Sequence, residues 1–322
     1  MYFDQSAKIY VAGHRGLAGS AICRELKKQG YENIITRTHQ ELDLEDQKKT
    51  EEFIFDTKPD VVFLAAAKVG GIHANNTYPV EFLMSNLAIQ SNVIKASHKA
   101  NVQRLIFLGS SCIYPKNCPQ PIKEEYLLTS ELEVTNRPYA LAKIAGIEMC
   151  WSYNRQFNTQ YLAAMPTNLY GPNDNYDLEN SHVLPALIRK IHEAKINDLP
   201  SVEIWGSGKP KREFLHADDL ALALTYLMNL DQDKFRALTN LHEAPLINIG
   251  TGSDQSIIDL AELLKDIIGI NGDFKSNTLK LDGTLRKVLN VEKLNKLGWS
   301  SKISLNEGIT QTYQDYSNNI VT

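Results

Sequence analysis

The chain has 322 residues, 43% hydrophobic and 22% charged, which suits one large domain or two closely joined ones with a full apolar core. Its net charge of −4 argues against a nucleic-acid partner, which usually meets a basic face. No apolar run approaches the roughly 18 residues of a membrane span, and no signal peptide or Cys-x-x-Cys pair is apparent. We therefore expect a cytoplasmic protein with reduced thiols, no metal site and no membrane partner.

The first 170 residues alternate short apolar runs with amphipathic stretches. Strands are predicted over 8–13, 33–36, 60–67, 104–110 and 160–166, and helices over 17–30, 46–57, 80–100 and 138–156. Strand and helix in alternation form parallel βαβ units. The sequence therefore predicts an α/β fold with a doubly wound parallel sheet of the Rossmann type.

After Gly171 the alternation weakens, beginning with a polar, loop-like stretch. Helices are predicted over 183–195, 216–230 and 256–269, and strands over 202–205 and 246–250. We interpret residues 1–170 as the nucleotide-binding Rossmann domain, completed by parts of 216–250. Residues 171–322 then form mainly a smaller C-terminal α/β lobe that binds the substrate and is interleaved with the first domain.

Three glycines stand between the first predicted strand and the first helix, in GHRGLAG. Gly13, Gly16 and Gly19 suit a tight turn that lets a pyrophosphate approach the backbone at the helix N-terminus. A structural turn is the alternative, because a glycine trio alone is weak evidence. Its place after a first strand favours dinucleotide binding.

The end of the second predicted strand bears on which dinucleotide binds, because an acidic residue there usually contacts the ribose of NAD. Here Arg37 follows the strand, and Arg15 lies within the glycine loop. Two guanidinium groups suit the 2′-phosphate of NADP(H), although Arg37 is also open to interpretation as a solvated surface charge. Asp43 is a candidate contact of the adenine.

A tyrosine and a lysine lie on one face of a predicted helix, as Tyr139 and Lys143 in YALAK. A neighbouring ammonium favours the tyrosinate, so we expect Lys143 to bring the pKa of Tyr139 toward working pH and to hold the nicotinamide ribose. Ser110, at the end of the fourth strand, would orient a carbonyl. With the glycine motif, these residues predict a reductase; a half-buried aromatic and a surface lysine are the alternative.

Longer blocks resemble extended short-chain dehydrogenase/reductases that act on nucleotide sugars, and within them the GDP-L-fucose synthase family. The blocks are AGHRG, LAAAKVGGIHANNTYP, LGSSCIYP, PYALAKIAGI, MPTNLYGPNDN, SHVLPALIRK and DGTLRK. The resemblance implies NADPH-dependent 3,5-epimerisation and 4-reduction of GDP-4-keto-6-deoxy-D-mannose to GDP-L-fucose. It also implies a homodimer that joins the helices at 80–100 and 138–156 in a four-helix interface.

The resemblance further implies roles for individual residues. Cys112 and His182 match the acid–base pair that inverts the sugar at C3 and C5, and both residue types exchange protons near neutral pH. His39 stands where many relatives carry a second arginine for the cofactor. The matched nicotinamide loop includes Pro166, Asn168 and Leu169, and the matched substrate contacts are Lys190, Trp205, Arg212 and Asp282.

The residues by themselves leave alternatives open. Cys112 also suits the role of a small buried hydrophobic residue, which is our interpretation of Cys23, Cys118 and Cys150. A disulfide bond between Cys112 and Cys118 is a further alternative. His182 equally suits a hydrogen-bonded structural role. Of the four substrate contacts, Lys190 also suits a surface cation, Trp205 a core tryptophan, and Arg212 with Asp282 an ion pair.

Other functions were weighed against the predicted enzyme. An enzyme that acts on another GDP-4-keto sugar, such as a GDP-heptose, would share every residue named. A non-catalytic NADP sensor or scaffold is disfavoured because Tyr139 and Lys143 are both present. A simple 4-epimerase needs neither Cys112 nor His182, and a dehydratase is disfavoured because Ser111 and Cys112 occupy the positions of its Asp–Glu pair.

Overall fold

The fold was analysed in a computed structural model that describes residues 2–279 and 282–319. The strands are β1 (Ile9–Ala12), β2 (Ile34–Ile35), β3 (Val61–Leu64), β4 (Arg104–Leu108), β5 (Tyr161–Pro166), β6 (Asn168–Tyr170), β7 (Ser201–Trp205), β8 (Lys211–Arg212), β9 (Phe214–His216), β10 (Leu246–Ile249), β11 (Gln255–Ser256), β12 (Asp273–Asn277) and β13 (Arg286–Lys287). The helices are α1 (Leu17–Lys28), α2 (Gln47–Thr57), α3 (Ile72–Thr77), α4 (Pro79–Lys99), α5 (Arg137–Phe157), α6 (Val183–Ile196), α7 (Ala217–Met228), α8 (Gln232–Leu238), α9 (Ile257–Ile268), α10 (Glu292–Lys296) and α11 (Leu305–Asn319).

The central sheet is parallel throughout, in the order β2-β1-β3-β4-β5-β10. Alternate side chains of its strands pack against α1 and α7 on one face and against α2, α4 and α5 on the other. Because both faces are covered, strands such as β3 and β4 are continuous apolar runs. The predicted doubly wound α/β fold is confirmed. The strand order reverses between β1 and β3, the position where such sheets bind ligands.

A second apolar core lies between α6, α9, α11 and β7, and we call these elements the second lobe. Small sheets surround it, with orders β11-β8-β13, β12-β7 and β6-β9. The chain crosses between the two parts, because α7 and β10 return to the central sheet after the second lobe has begun. The predicted division at residue 170 stays a prediction.

The main differences from prediction lie where the chain leaves the sheet. Strands β3 and β4 end at Leu64 and Leu108, three and two residues earlier than predicted. Helices α3 and α11 were not predicted; the buried face of α11 consists of Gly308, Ile309, Thr312 and Tyr316, a weak apolar stripe.

Other sequence expectations concern cysteines, metals and membranes. All four cysteines are unpaired thiols. Within the described ranges, no cluster of three metal-ligating side chains occurs, and no helix is both long and apolar enough to span a bilayer.

Candidate active site

The glycine loop joins β1 to α1 and is shaped for close backbone contacts. Gly13 has a φ of +85°, which side-chain-bearing residues rarely adopt, and Gly16 caps α1 while its N–H donates to the Gly13 carbonyl at 3.1 Å. A Cβ on Gly19 would collide with the Gly13 carbonyl oxygen. Because the first N–H groups of a helix have no partner within it, a close-packed loop at the start of α1 fits a dinucleotide pyrophosphate.

One arginine lies within this loop, Arg15, and another, Arg37, follows the end of β2. Arg37 is exposed, donates to the Thr36 carbonyl at 2.8 Å, and lies over the Phe53 ring at 5.0 Å. Hydrogen bonds from Thr38 lower the pKa of Glu41, and the guanidinium groups of Arg37 and Arg15 add to that effect. Both guanidinium groups therefore lie near one carboxylate, in a region that fits a 2′-phosphate.

His39 and Asp43 lie in the turn that follows. The His39 Nδ1 atom is 3.7 Å from the Asp43 carboxylate, and both side chains are largely exposed. Asp43 also accepts a hydrogen bond from the Glu45 N–H at 2.9 Å. Both residues follow β2 and Arg37 along the chain, and their cofactor roles stay predictions.

The segment after β4 places a serine and a cysteine at the carboxyl edge of the sheet. Ser110 is extended, and its Oγ accepts a hydrogen bond from the Cys112 N–H at 3.4 Å as the chain forms a short 3-10 turn. Cys112 is 8% exposed, and burial raises the pKa of its thiol. The Lys287 ammonium, the Ser110 hydrogen bond and Lys143 oppose that rise.

Helix α5 brings Tyr139 and Lys143 beside this turn. The Lys143 ammonium donates to the Leu108 carbonyl at 2.8 Å and lies 5.7 Å from the Tyr139 ring centre. Burial lowers the pKa of Lys143 to about 8. Burial also raises the pKa of Tyr139, Cys112 adds to the rise, and a hydrogen bond with Ser110 opposes it.

The prediction that Lys143 lowers the pKa of Tyr139 is therefore wrong for this structure. The Lys143 amine bonds to the strand backbone, and desolvation of the Tyr139 phenol dominates. A phenol with a raised pKa stays protonated, which is the form that gives a proton to a developing alkoxide.

His182 reaches the cleft from the second lobe, where it is the N-cap residue of α6 without capping through its side chain. His182 is exposed to solvent, yet the protein atoms around it lower its pKa, and Lys287 adds to this effect. The same Lys287 ammonium lowers the pKa of Cys112. The positive charge of Lys287 therefore acts on both halves of the predicted acid–base pair.

Sequence reasoning did not single out Lys287. It lies on β13, pairs in register with Arg212 on β8, and lines a small cavity that Cys112, Glu133 and Thr284 also line. Lys287 is the last residue of the DGTLRK block, but its position along the chain does not show that β13 lies close to the segment after β4.

The predicted nicotinamide loop leaves the carboxyl end of β5. Pro166 is the last residue of β5, and Asn168 and Leu169 form β6 with Tyr170, paired to β9. The Asn168 side-chain amide donates to the Glu213 backbone carbonyl at 2.8 Å. This bond holds the loop at the sheet edge where Ser110 also lies.

Two of the predicted substrate contacts meet at the end of β7. The Lys190 ammonium lies 4.7 Å from the Trp205 ring centre and donates to the Glu203 carbonyl at 3.2 Å. The Trp205 ring is 42% exposed, and its N–H donates to the Glu203 carboxylate at 3.0 Å. An exposed indole beside a cation suits a base or sugar ring with an anionic neighbour.

The other two predicted contacts, Arg212 and Asp282, lie nearby. The Asp282 carboxylate accepts hydrogen bonds from the Ser207 N–H at 2.9 Å and hydroxyl at 2.7 Å, which lower its pKa, with Arg212 adding to the effect. Arg212 donates to the Thr284 carbonyl at 2.6 Å and is half-buried.

Comparisons with known proteins find relatives over nearly the whole chain. Residues 9–239 match the model of the NAD dependent epimerase/dehydratase family. The "Putative GDP-L-fucose synthase 2" of Arabidopsis thaliana is 54% identical over 318 residues, which cover 99% of this chain and 94% of the relative.

Two solved structures are also similar. A GDP-6-OMe-4-keto-L-xylo-heptose reductase from C. jejuni is 39% identical with a TM-score of 0.93, and the match covers 98% of this chain and 99% of that one. A GDP-L-fucose synthetase from Naegleria fowleri bound to NADP is 26% identical with a TM-score of 0.87, and the match covers 100% and 97%.

Proposed function

The chain belongs to the NAD dependent epimerase/dehydratase family, and we propose that it converts GDP-4-keto-6-deoxy-D-mannose into GDP-L-fucose with NADPH. The observation that carries this proposal is a buried thiol within a reductase site. Cys112 lies close enough to Tyr139 to raise its pKa and shares Ser110 with it. A reductase alone needs no such proton carrier, whereas an epimerase does. The 54% identity to a GDP-L-fucose synthase supports the same substrate.

The epimerase half uses the acidity that a 4-keto group gives to C3 and C5. Loss of a proton from either carbon leaves an enolate whose charge rests on the C4 oxygen, where Ser110 and Tyr139 stabilise it by donating hydrogen bonds. Inversion needs a proton removed from one face and returned on the other. Cys112 follows β4 of the central sheet and His182 caps α6 of the second lobe, so the pair would flank a sugar bound between these two parts.

The reductase half needs a cofactor, and the residues present fit NADP(H). The backbone of the glycine loop, together with Arg15 and Arg37, would hold the dinucleotide, with Lys143 toward its ribose and the β5–β6 loop on its nicotinamide. When bound, NADPH supplies the hydride for C4. Tyr139 gives its proton to the resulting alkoxide while Ser110 orients the carbonyl.

A homodimer forms part of the proposal. Helices α4 and α5 pack side by side, and their outer surface includes Val80, Met84 and Leu141, which are 67%, 57% and 42% exposed. A second copy seated on this apolar surface would form a four-helix interface. Sedimentation of the protein and of a Met84→Glu variant tests the surface, because a charge there should favour monomers.

The function is tested by incubating the protein with GDP-4-keto-6-deoxy-D-mannose and NADPH in heavy water. We expect GDP-L-fucose that carries deuterium at C3 and C5. Cys112→Ser should bind NADPH normally and lose deuterium uptake, whereas Tyr139→Phe should slow reduction more than uptake. Unchanged uptake in Cys112→Ser contradicts the role of the thiol, and lack of product from the native protein contradicts the function.

A second candidate is a reductase of a GDP-4-keto heptose, which the C. jejuni structure at TM-score 0.93 favours. The lower identity of 39%, against 54% for the Arabidopsis protein, makes it the weaker candidate. Relative kcat/KM values on the 6-deoxy sugar and on a 4-keto heptose, with the same GDP group, separate the two.

A further inference from the structure

One backbone contact joins the central sheet to the segment that carries His182. The loop after β3 ends at Gly71, whose N–H donates to the Asn180 carbonyl at 2.8 Å. Asn180 precedes His182 by two residues. We call the contact of Gly71 with Asn180 and Ser181 the interlobe clasp. It lies outside every group to which a chemical role has been given above.

On the sheet side, two buried asparagines fix the loop that ends at Gly71. Asn86 of α4 accepts from the Lys68 N–H and donates to the Lys68 carbonyl, both at 3.0 Å. Asn75 of α3 donates to the Gly70 carbonyl at 2.8 Å and to the Gly71 carbonyl at 3.0 Å. Because buried amides bonded in this way resist displacement, Gly71 is held rigidly relative to the sheet.

On the side of the second lobe, an aspartate braces the other half of the clasp. The Asp177 carboxylate accepts from the N–H groups of Glu179 at 3.1 Å and Asn180 at 2.8 Å, and the Asp177 carbonyl accepts from the Ser181 N–H at 3.0 Å. These bonds lower the pKa of Asp177. Residues 177–181 therefore form a compact turn that passes any displacement on to His182.

The close approach explains the glycine at position 71. Its φ of −67° and ψ of −178° suit any residue, so no backbone strain requires glycine there. A Cβ on Gly71 would instead lie 2.7 Å from the Ser181 carbonyl oxygen and 3.3 Å from that of Asn180. A methyl group would push the two segments apart by about 0.7 Å before the first contact reached an ordinary 3.4 Å.

We propose that the interlobe clasp sets the position of His182 relative to Cys112, which makes Gly71 a positioning residue for epimerisation. This inference rests on the proposed function. Ser110 and Cys112 follow strand β4, and Tyr139 is on α5, which packs against the central sheet, whereas His182 alone reaches the sugar across the clasp. Displacing the clasp therefore disturbs proton exchange at C3 and C5 while leaving the groups for hydride transfer in place.

The test compares two half-reactions in Gly71→Ala. Misplacing a reacting group by about 1 Å slows its step by about 100-fold, so we expect deuterium uptake at C3 and C5 to fall between about 10- and 100-fold. Reverse hydride transfer, followed as NADPH formed in one turnover from GDP-L-fucose and NADP⁺, requires no epimerisation and should stay within about twofold of the native rate.

Gly70→Ala is the matched control. A Cβ there meets Ala74 and the Phe82 ring at 3.0 and 3.1 Å, both outside the 177–181 turn, so the added bulk presses on the sheet side of the loop. Because the Phe82 ring packs edge-to-face on the Tyr139 ring, with 6.1 Å between ring centres, we expect any loss in Gly70→Ala to include hydride transfer and not to fall selectively on uptake. Native-like uptake in Gly71→Ala, or an equal loss of both half-reactions, overturns the proposal.

A second variant covers the case in which Gly71→Ala does not fold. Asp177→Asn weakens the hydrogen bond that holds the Asn180 N–H from the other side and adds no bulk, so it should slow deuterium uptake more than hydride transfer. An equal effect on the two half-reactions, or no effect on uptake, overturns the proposal. If the native protein makes no GDP-L-fucose, the proposed function itself is contradicted. The clasp is then tested on the substrate that the native protein does use, by measuring whether Gly71→Ala changes deuterium uptake into that substrate.

Discussion

The buried ammonium of Lys143 makes a measurable prediction about stability and pH. Lys143 is 3% exposed, and burial lowers its pKa from 10.5 to about 8. In the unfolded chain the amine regains its ordinary pKa. Between pH 8 and 10.5 the unfolded chain therefore binds a proton that the folded protein does not, and stability from this residue rises with pH across that window.

The size of the effect follows from the same two values. One pKa unit corresponds to about 1.4 kcal/mol, so the native protein should gain about 3 kcal/mol relative to Lys143→Met between pH 7 and pH 10.5. The hydrogen bond to the Leu108 carbonyl is lost together with the amine, and the part of it that depends on protonation is already contained in the folded pKa of Lys143. The remainder offsets the curve without altering its slope.

Urea unfolding of the native protein and of Lys143→Met at several pH values measures this difference directly. Groups whose pKa does not depend on Lys143 cancel in the comparison, and the Cys112 thiol, whose pKa does depend on it, is replaced by serine in both proteins. Lys28→Met, which removes an exposed lysine at the end of α1, controls for the loss of one charge. A difference between the native protein and Lys143→Met that stays constant, or that shrinks as pH rises, refutes the reasoning.

Two further predictions concern charge in the cleft. Arg37→Ala should raise KM for NADPH by about tenfold and change KM for NADH little, because only NADPH carries the 2′-phosphate; equal changes for both cofactors contradict that role. Lys287→Met should raise the pKa of both Cys112 and His182, since one positive charge lowers both. The pH profile of deuterium uptake should then move to higher pH, and an unmoved profile would show that Lys287 does not act on the pair.

The central sheet was predictable because its information is local. The runs that form β1, β3, β4 and β5 are largely apolar and are separated by amphipathic helices. The hydrophobic period and the order of these segments were therefore enough to predict the sheet. Helices with weak apolar stripes were missed: the face of α11 that packs into the second lobe uses glycine, threonine and tyrosine beside one isoleucine.

The candidate site was predictable only in part, for a related reason. The glycine loop, Ser110, Tyr139 and Lys143 have spacings that one strand or one helix imposes. Lys287 has no such spacing, because its place beside Cys112 arises from β13 pairing with β8 far along the chain. The pKa of Tyr139 was predicted in the wrong direction since burial, which sequence does not give, outweighs a nearby lysine.

The late position of β10 has a consequence for synthesis of the chain on the ribosome. Strand β5 is fully buried between β4 and β10, yet β10 begins 80 residues after β5 ends. At typical elongation rates of about 5 to 20 residues per second, β5 would remain a bare apolar edge for roughly 4 to 16 seconds. Such an edge readily pairs with another nascent chain. The interleaved chain path therefore creates a period in which the nascent protein depends on chaperones, and slower translation would lengthen it.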